Sequence, residues 1–260
     1  MEELREALHR NLAPRRHTAL LVAIVALFMV RPLIGDGGIA TGAFSSVLLL
    51  VLLFALYAIQ VDELVGERDT LLAQRRRRAL VGWALAVPAI VARLAAILVP
   101  SPAIYLSEAI LWLLLFAFIT WHLLRGVLRQ REITSETISM SISVYLLLGF
   151  TFGLFYILLH HLQPLAFSLG STPTPISNEQ QAFPILIYFS LTTLSTIGFG
   201  DITPVTLQAR YAAVAEGITG QFYLAILVAR LVGMQMSQAV SPAGKPQTHD
   251  LDTTKSARGE

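Results

Sequence analysis

The sequence has no cysteine and little charge. Charged residues make up 14% of its 260 residues and hydrophobic residues make up 55%, whereas roughly a quarter of an ordinary soluble domain is charged. The absence of cysteine excludes disulfide bonds and thiolate metal sites. The scarcity of charge leaves too few polar side chains to cover a surface in water, and a formal net charge of +2 gives no reason to expect a nucleic-acid partner.

Long apolar runs are abundant instead, and they predict an integral, all-α membrane protein. Six runs are counted, from about Ala19 to Ile34, Ala43 to Val61, Ala79 to Val99, Ala103 to Leu124, Ile138 to Leu162 and Ala209 to Met236. At about 1.5 Å per helical residue, we expect each to cross a hydrocarbon layer of about 30 Å. The first run is expected to stay as an uncleaved span, because Arg31 and Pro32 follow it at once.

A seventh apolar stretch, Phe183 to Leu194, is too short to span a membrane. It lies between the fifth and sixth runs, so the pattern predicts a re-entrant helix that enters and leaves by the same face. The loop before it, Gln163 to Gln181, contains several prolines and is expected to be irregular.

Basic residues concentrate in alternate loops. They precede the first run, separate the second from the third, and separate the fourth from the fifth: Arg15, Arg16, Arg75 to Arg78, Arg125, Arg129 and Arg131. The positive-inside rule then predicts that both termini are cytoplasmic and that the short re-entrant helix faces outward. The expected location is the plasma (cell inner) membrane, crossed several times.

The segment that follows the short helix, TIGFGD, is unusually rich in glycine for so apolar a chain. Gly198 and Gly200 alternate with Ile197 and Phe199, and glycine adopts positive φ without steric cost. Such alternation lets successive carbonyls point the same way. Unpaired carbonyls at membrane depth need a partner, which a cation supplies, and Thr196 adds a hydroxyl at the inner end. One chain carries too few oxygens to surround an ion, so the site implies a symmetric oligomer.

These residues resemble the selectivity filter of potassium channels, whose usual form is TVGYGD. The resemblance implies a homotetramer in membrane lipid that conducts K+ and has neither a further cofactor nor enzymatic activity. It implies that the backbone oxygens of Thr196, Ile197, Gly198 and Phe199 bind K+. Gly200 completes this filter, and Asp201 is expected at the outer mouth. Phe199 replaces a tyrosine whose ring hydroxyl often bonds aromatic side chains of the pore helix.

The same resemblance extends to the flanking segments, from about Ile138 to Met236. It makes Tyr188 to Ser195 a pore helix and the last run an inner helix with a hinge at Gly220. Residues expected to support the filter or to line the cavity below it are Thr192, Thr193, Ser195, Glu216, Leu224 and Val228. We expect Glu216 to hydrogen-bond behind the filter near Thr192 or Thr193; a contact between subunits is the alternative.

The remaining spans give no sign of a voltage sensor. The fourth run contains Glu108 and no arginine before Arg125, whereas a sensor needs repeated charges in the field. Arg93 is expected to pair with Glu108. The expected organisation is a cytoplasmic amphipathic segment, a four-helix domain in the position of a voltage sensor, a pore domain and a disordered cytoplasmic tail, at residues 1–18, 19–131, 132–237 and 238–260.

The sequence therefore favours a K+-selective passive channel without strong voltage gating. One alternative is a K+ transport subunit of the type that carries four pore repeats per chain, although this sequence contains one. The other is a membrane sensor or scaffold in which the first four spans are regulatory and the pore is vestigial.

Overall fold

A computed structural model of the protein describes residues 15–33, 38–65, 72–99, 101–130, 134–170, 176 and 179–240. Its helices are α1 (Arg16–Val30), α2 (Gly38–Val65), α3 (Leu72–Leu98), α4 (Pro102–Arg129), α5 (Ser135–Leu162), α6 (Glu179–Leu194) and α7 (Leu207–Val240). A 3₁₀ turn, Arg31–Leu33, follows α1. Most of the expected N-terminal amphipathic segment and of the tail lies outside the described residues. The last helix continues to Val240, past the expected boundary at residue 237.

Four of these helices are long and apolar enough to cross a membrane, within the described part of the chain. They are Arg77–Leu98 of α3, Pro102–Arg129, Ser135–Leu162 and Leu207–Gly233 of α7. Helix α1 and the stretch Ser46–Ile59 of α2 are shorter apolar helices. The chain is thus a multi-pass, mostly helical membrane protein.

Short polar signals set the starts of α4 and α5. The hydroxyl of Ser101 accepts a hydrogen bond from the backbone N–H of Ile104, and Pro102 occupies the first turn of α4. Thr134 caps α5 in the same way, through the N–H of Thr137 at 3.2 Å. Both arrangements satisfy amides that the first helical turn leaves unbonded.

The first and fourth helices pack directly on α5 of the same chain. Glu136, in the first turn of α5, accepts hydrogen bonds from the N–H of His17 at 2.9 Å and from the hydroxyl of Thr18 at 2.5 Å. This carboxylate therefore caps the N-terminus of α1, where the helix dipole favours a negative charge. Helix α4 contacts α5 through Phe116 and Phe150, whose ring centroids lie 5.8 Å apart.

The expected ion pair between α3 and α4 is confirmed. Arg93 and Glu108 lie with Nη1 and Oε1 3.1 Å apart, and both side chains are mostly buried. A buried charge needs such a partner, so the pair fixes how α3 lies against α4.

Helices α5 and α6 approach closely at two glycines one helical turn apart. A Cβ added at Gly153 would lie 3.1 Å from the Cα of Ile187, and one at Gly149 would lie 2.5 Å from a methyl carbon of Leu191. The spacing is the small-residue pattern that lets membrane helices touch. The sequence signal for this contact is GFTFG, residues 149–153, which was not among the predicted features.

A short antiparallel ladder brackets the TIGFGD segment. Strand β1 (Phe167–Leu169) pairs with β2 (Ile202–Pro204), with Ser168 opposite Thr203. The expectation of an irregular loop from Gln163 to Gln181 is therefore wrong at β1. It also ends at Glu179, where α6 begins. The ladder fixes both ends of the segment that contains α6 and TIGFGD.

Candidate functional site

The glycine loop, residues 195–201, folds back onto the C-terminal end of α6. The N–H groups of Ile197 and Gly198 both donate to the carbonyl of Thr192, at 2.9 and 3.2 Å, and the N–H of Thr196 donates to Thr193 at 3.0 Å. The last carbonyls of a helix lack partners within the helix. Here the loop supplies them, so its amides are turned toward α6.

The backbone of the glycine loop alternates in the sign of φ. Thr196, Gly198 and Gly200 have φ of 60°, 52° and 77°, and Ile197 and Phe199 are not among the residues with positive φ. Within the described residues, no backbone N–H donates to a carbonyl between Thr196 and Gly200. The loop therefore presents a row of carbonyl oxygens without internal partners, which can accept a cation or water.

Aromatic and acidic side chains hold the far end of the loop. The ring of Phe199 stacks on that of Tyr188 from α6, with centroids 6.5 Å apart and planes 1° apart. The Tyr188 hydroxyl interacts with the carboxylate of Asp201, and the carbonyl of Asp201 accepts from the N–H of Gly170 at 2.7 Å. Without the ring hydroxyl of a tyrosine at 199, the loop is held against α6 by stacking.

The predicted supporting hydroxyls bond mainly within their own helix. Thr192 donates to the carbonyl of Phe189 at 2.9 Å, and Ser195 donates to Leu191 at 2.7 Å. The contribution of Thr193 is its carbonyl, which accepts from the N–H of Thr196. These residues finish α6 and shape the start of the loop.

Glu216 lies behind α6, where it contacts Ser190 and Tyr156 and neither Thr192 nor Thr193. The side chain is fully buried and contacts the hydroxyls of Ser190 and Tyr156, the latter at 2.6 Å. It faces Ser190 because that residue lies on the side of α6 turned toward α5, and Thr192 instead bonds Phe189. Both contacts lie within one chain, and the side chain has no surface exposed to a neighbouring subunit there.

Gly220 is a point of close approach between α7 and α6. A Cβ at this position would lie 2.3 Å from the carbonyl oxygen of Leu194, the last residue of α6. Helix α7 runs without a break through Gly220. Further along α7, Leu224 and Val228 are 38% and 58% exposed in the single chain. This exposure leaves both side chains available to line a cavity, which stays a prediction.

Two contacts of α7 were not predicted. The amide of Gln221 donates to the hydroxyl of Thr196 at 3.4 Å, at the end of the loop nearest α7. Arg230 donates to the carbonyls of Val127 and Gln130 at the end of α4. A glutamine next to Gly220 in an apolar helix could have indicated a polar contact with the glycine loop. No residue near Arg230 in the sequence indicates its partners on α4.

Side chains offer no competing ion site in the described part of the chain, where no group of three His, Cys, Asp or Glu residues could hold a metal ion.

Comparison with known proteins gives a family match for part of the chain. Residues 142–236, which run from within α5 to within α7, match the sequence model of a family described as ion channel. The chain is 36% identical over 64 residues to protein LctB of Bacillus caldotenax, covering 24% of this chain and 47% of that protein. It is 38% identical over 64 residues to protein LctB of Geobacillus stearothermophilus, with the same coverage.

The chain thus spans about half the length of these curated relatives. No solved structure matches it. The family match concerns residues 142–236, and its description is that of a channel and not of an enzyme.

Proposed function

We propose that the chain assembles as a homotetramer that conducts K+ passively, through a pore lined by the glycine loop. The observation that carries the proposal is the alternating φ of that loop, whose amides face α6 and whose carbonyls lack partners. In a filter of this kind carbonyl oxygens replace the hydration shell of K+. The carbonyls of Thr196 to Phe199 bind K+ in this proposal, Gly200 completes the row, and Asp201 lies at the outer mouth.

Exposed side chains support assembly around an axis. Phe199, Tyr211 and Phe222 are 68%, 71% and 64% exposed in the single chain. Apolar side chains alone would suit lipid, but Phe199 belongs to a loop with unpaired backbone oxygens, and lipid does not tolerate such backbone. Other copies of the chain are therefore its expected neighbours, and four copies give the ring that surrounds an ion.

The proposed topology has six spans, α1 to α5 and α7, with α6 as the re-entrant pore helix. Alternating basic loops support cytoplasmic termini and an outward-facing glycine loop in the plasma (cell inner) membrane. Residues 19–131 form the four-helix domain and residues 132–237 the pore domain. Helix α6 then points its C-terminal end, the negative end of its dipole, toward the ion path.

We expect weak voltage dependence from this arrangement. Within α4 the only acid is Glu108, which pairs with Arg93, and the arginines of α4 begin at Arg125 near its end. Few charges are left to cross the field when the voltage changes. The conductance–voltage relation should therefore be shallow.

The test is ion uptake by liposomes that contain the purified protein. We expect uptake of Rb+ or K+ that barium blocks and that excludes Na+. In the variant Gly198→Ala this uptake should fall at least tenfold, because φ at 198 is 52° and a side chain in the left-handed region costs about 1–2 kcal/mol in each chain.

The matched control is Gly170→Ala. Gly170 has a φ of 71°, and like Gly198 it has no atom within 4 Å of an added Cβ, but it lies outside the glycine loop. This variant should keep K+ selectivity. Selective uptake that survives Gly198→Ala, or uptake that admits Na+ as readily as K+ in the wild type, contradicts the proposal. Absence of uptake favours the sensor or scaffold alternative.

A further inference from the structure

Glu216 is a carboxyl group enclosed by three helices. It projects from α7, has no exposed surface, and meets Ser190 of α6 and Tyr156 of α5. The Ser190 hydroxyl also lies 2.6 Å from the carbonyl oxygen of Gly149 on α5. These contacts form one chain of oxygen atoms, from Tyr156 through Glu216 and Ser190 to Gly149.

The protons available to this chain can be counted. It contains three oxygen–oxygen contacts, and each needs one proton between its two atoms. Tyr156 supplies one proton and Ser190 supplies one, because a hydroxyl has a single hydrogen. The carbonyl of Gly149 supplies none. The third proton can come only from Glu216.

An ionised Glu216 would leave one contact without a proton. Ser190 would then donate either to Glu216 or to Gly149, and two acceptors would face each other at the remaining contact. The titratable groups that face the carboxyl are Tyr156 and Tyr145, both from α5. From α6 the facing group is the Ser190 hydroxyl. Among the described residues no lysine, arginine or histidine contacts it, and a buried charge without a partner is costly.

We infer that Glu216 is a neutral carboxylic acid that donates to Ser190, accepts from Tyr156, and thereby ties α6 to both α5 and α7. In this state every contact is satisfied: Tyr156 donates to Glu216 Oε2, Glu216 Oε1 donates to Ser190, and Ser190 donates to Gly149. Glu216 is a positioning residue, since it acts on the glycine loop only through α6.

The link has a consequence for conduction, and that part depends on the proposed function. Ser190 lies on the helix whose last carbonyls hold the amides of the glycine loop. Loss of the proton at high pH would break one of these three contacts and weaken the attachment of α6 to either α5 or α7. We therefore expect K+ uptake to decline at alkaline pH through loss of loop geometry.

The protonation state is tested on the purified protein by infrared spectroscopy. A neutral carboxylic acid has a carbonyl stretch that an ionised carboxylate lacks. We expect this band at neutral pH in the wild type and its loss in Glu216→Gln. The control is Glu108→Gln, which removes a mostly buried carboxylate that faces Arg93 and should keep the band. A wild-type spectrum that Glu216→Gln leaves unchanged in this region overturns the inference.

Stability against pH gives a second measurement. A glutamine amide donates to Ser190 and accepts from Tyr156, so Glu216→Gln should fold like the wild type at neutral pH. The unfolded wild type releases a proton that the folded state holds. Its folding equilibrium should therefore weaken with rising pH by up to about tenfold per unit relative to Glu216→Gln. Thermal unfolding in detergent measures this difference, and parallel pH profiles for the two proteins contradict a neutral Glu216.

The liposome assay then separates the two proposals. Uptake should decline at alkaline pH in the wild type but not in Glu216→Gln. The control Ser143→Ala removes a buried hydroxyl that bonds only within α5, and should decline like the wild type. If the infrared result is as expected and no protein takes up K+, the proposed function fails and the neutral Glu216 stands. If wild type and Glu216→Gln decline together, the link between Glu216 and the loop is wrong.

Discussion

Thr196 shows the most unusual backbone in the described part of the chain. It is the non-glycine residue with positive φ there, at 60°, a conformation that costs about 1–2 kcal/mol. Its hydroxyl donates to the carbonyl of Ser195 at 2.7 Å and accepts from Gln221 at 3.4 Å. Glycine would adopt this backbone more easily but would supply no hydroxyl. Strain of this kind concentrates at functional sites, which agrees with a role for the Thr196 oxygen in the proposed ion path.

Two glycines of α7, Gly217 and Gly220, differ in the space that is available for a side chain. A Cβ at Gly220 would lie 2.3 Å from the carbonyl oxygen of Leu194, whereas a Cβ at Gly217 would lie 3.9 Å from that of Thr193. We expect Gly220→Ala to displace the end of α6, to destabilise the protein by about 1–3 kcal/mol, and to reduce K+ uptake strongly. Thermal unfolding in detergent and liposome uptake measure the two effects.

The control variant, Gly217→Ala, should be neutral or stabilising. Its new methyl group finds ordinary contact distance, and alanine is favoured over glycine in a helix by about 1 kcal/mol. Equal loss of uptake in both variants would mean that α7 needs glycine for bending, as a hinge does. The close approach to Leu194 would then not be the reason that glycine is required at residue 220.

At the scale of the elements, sequence reasoning succeeded where the pattern is local. The short apolar run before TIGFGD predicted α6, and apolar length predicted α3, α4, α5 and α7, because both depend on neighbours in the chain. It failed on the partners of Glu216 and Arg230. Tyr156 is 60 residues from Glu216, and Val127 is 103 residues from Arg230. Contacts at such separations depend on how helices pack, which one sequence does not reveal.

Arg230 joins the proposed inner helix to the end of the four-helix region. Its guanidinium donates to the carbonyls of Val127 and Gln130 at the C-terminus of α4, where carbonyls lack helical partners and a positive charge is favoured. We expect Arg230→Ala to cost about 1.5–3 kcal/mol and to change K+ uptake at a fixed voltage, because α7 would move independently of α4. Arg230→Lys should restore part of both, since an ammonium group lacks the planar fork that spans two carbonyls.

The variant Arg125→Ala is the control for an effect on uptake that comes from lost charge alone. Arg125 lies in the same part of α4, with its guanidinium carbon 4.6 Å from the ring centroid of the exposed Trp121. Arg125→Ala removes one positive charge near the same end of α4 without removing the bonds to Val127 and Gln130. If Arg125→Ala and Arg230→Ala change uptake alike, Arg230 does not act as a mechanical link.

At the scale of the whole molecule, the proposed four-helix domain contacts the proposed pore domain of the same chain through both its first helix, α1, and its last, α4. Thr120 of α4 meets Thr151 of α5 with hydroxyl oxygens 3.2 Å apart, and α1 meets α5 at Glu136. The chain between α4 and α5 is short, from Gln130 to Thr134. Such a connection favours an assembly in which each four-helix region lies beside the pore region of its own chain. Any regulation by α1 to α4 would then act within a subunit.

The cysteine-free sequence makes this arrangement testable by cross-linking. Thr18 of α1 and Ser139 of α5 have hydroxyl oxygens 3.1 Å apart, close enough for cysteines at these positions to form a disulfide, whose sulfur atoms lie about 2.0 Å apart. In the double variant Thr18→Cys/Ser139→Cys, oxidation should produce a bond within one chain. The denatured protein should then run as a monomer, with faster migration that a reducing agent reverses. The two single-cysteine variants provide the control, since they should show no such shift. Covalent dimers to tetramers that appear only in the oxidised double variant would mean that α1 packs on the pore region of a neighbouring chain, and that the coupling proposed through Arg230 would have to be tested between subunits.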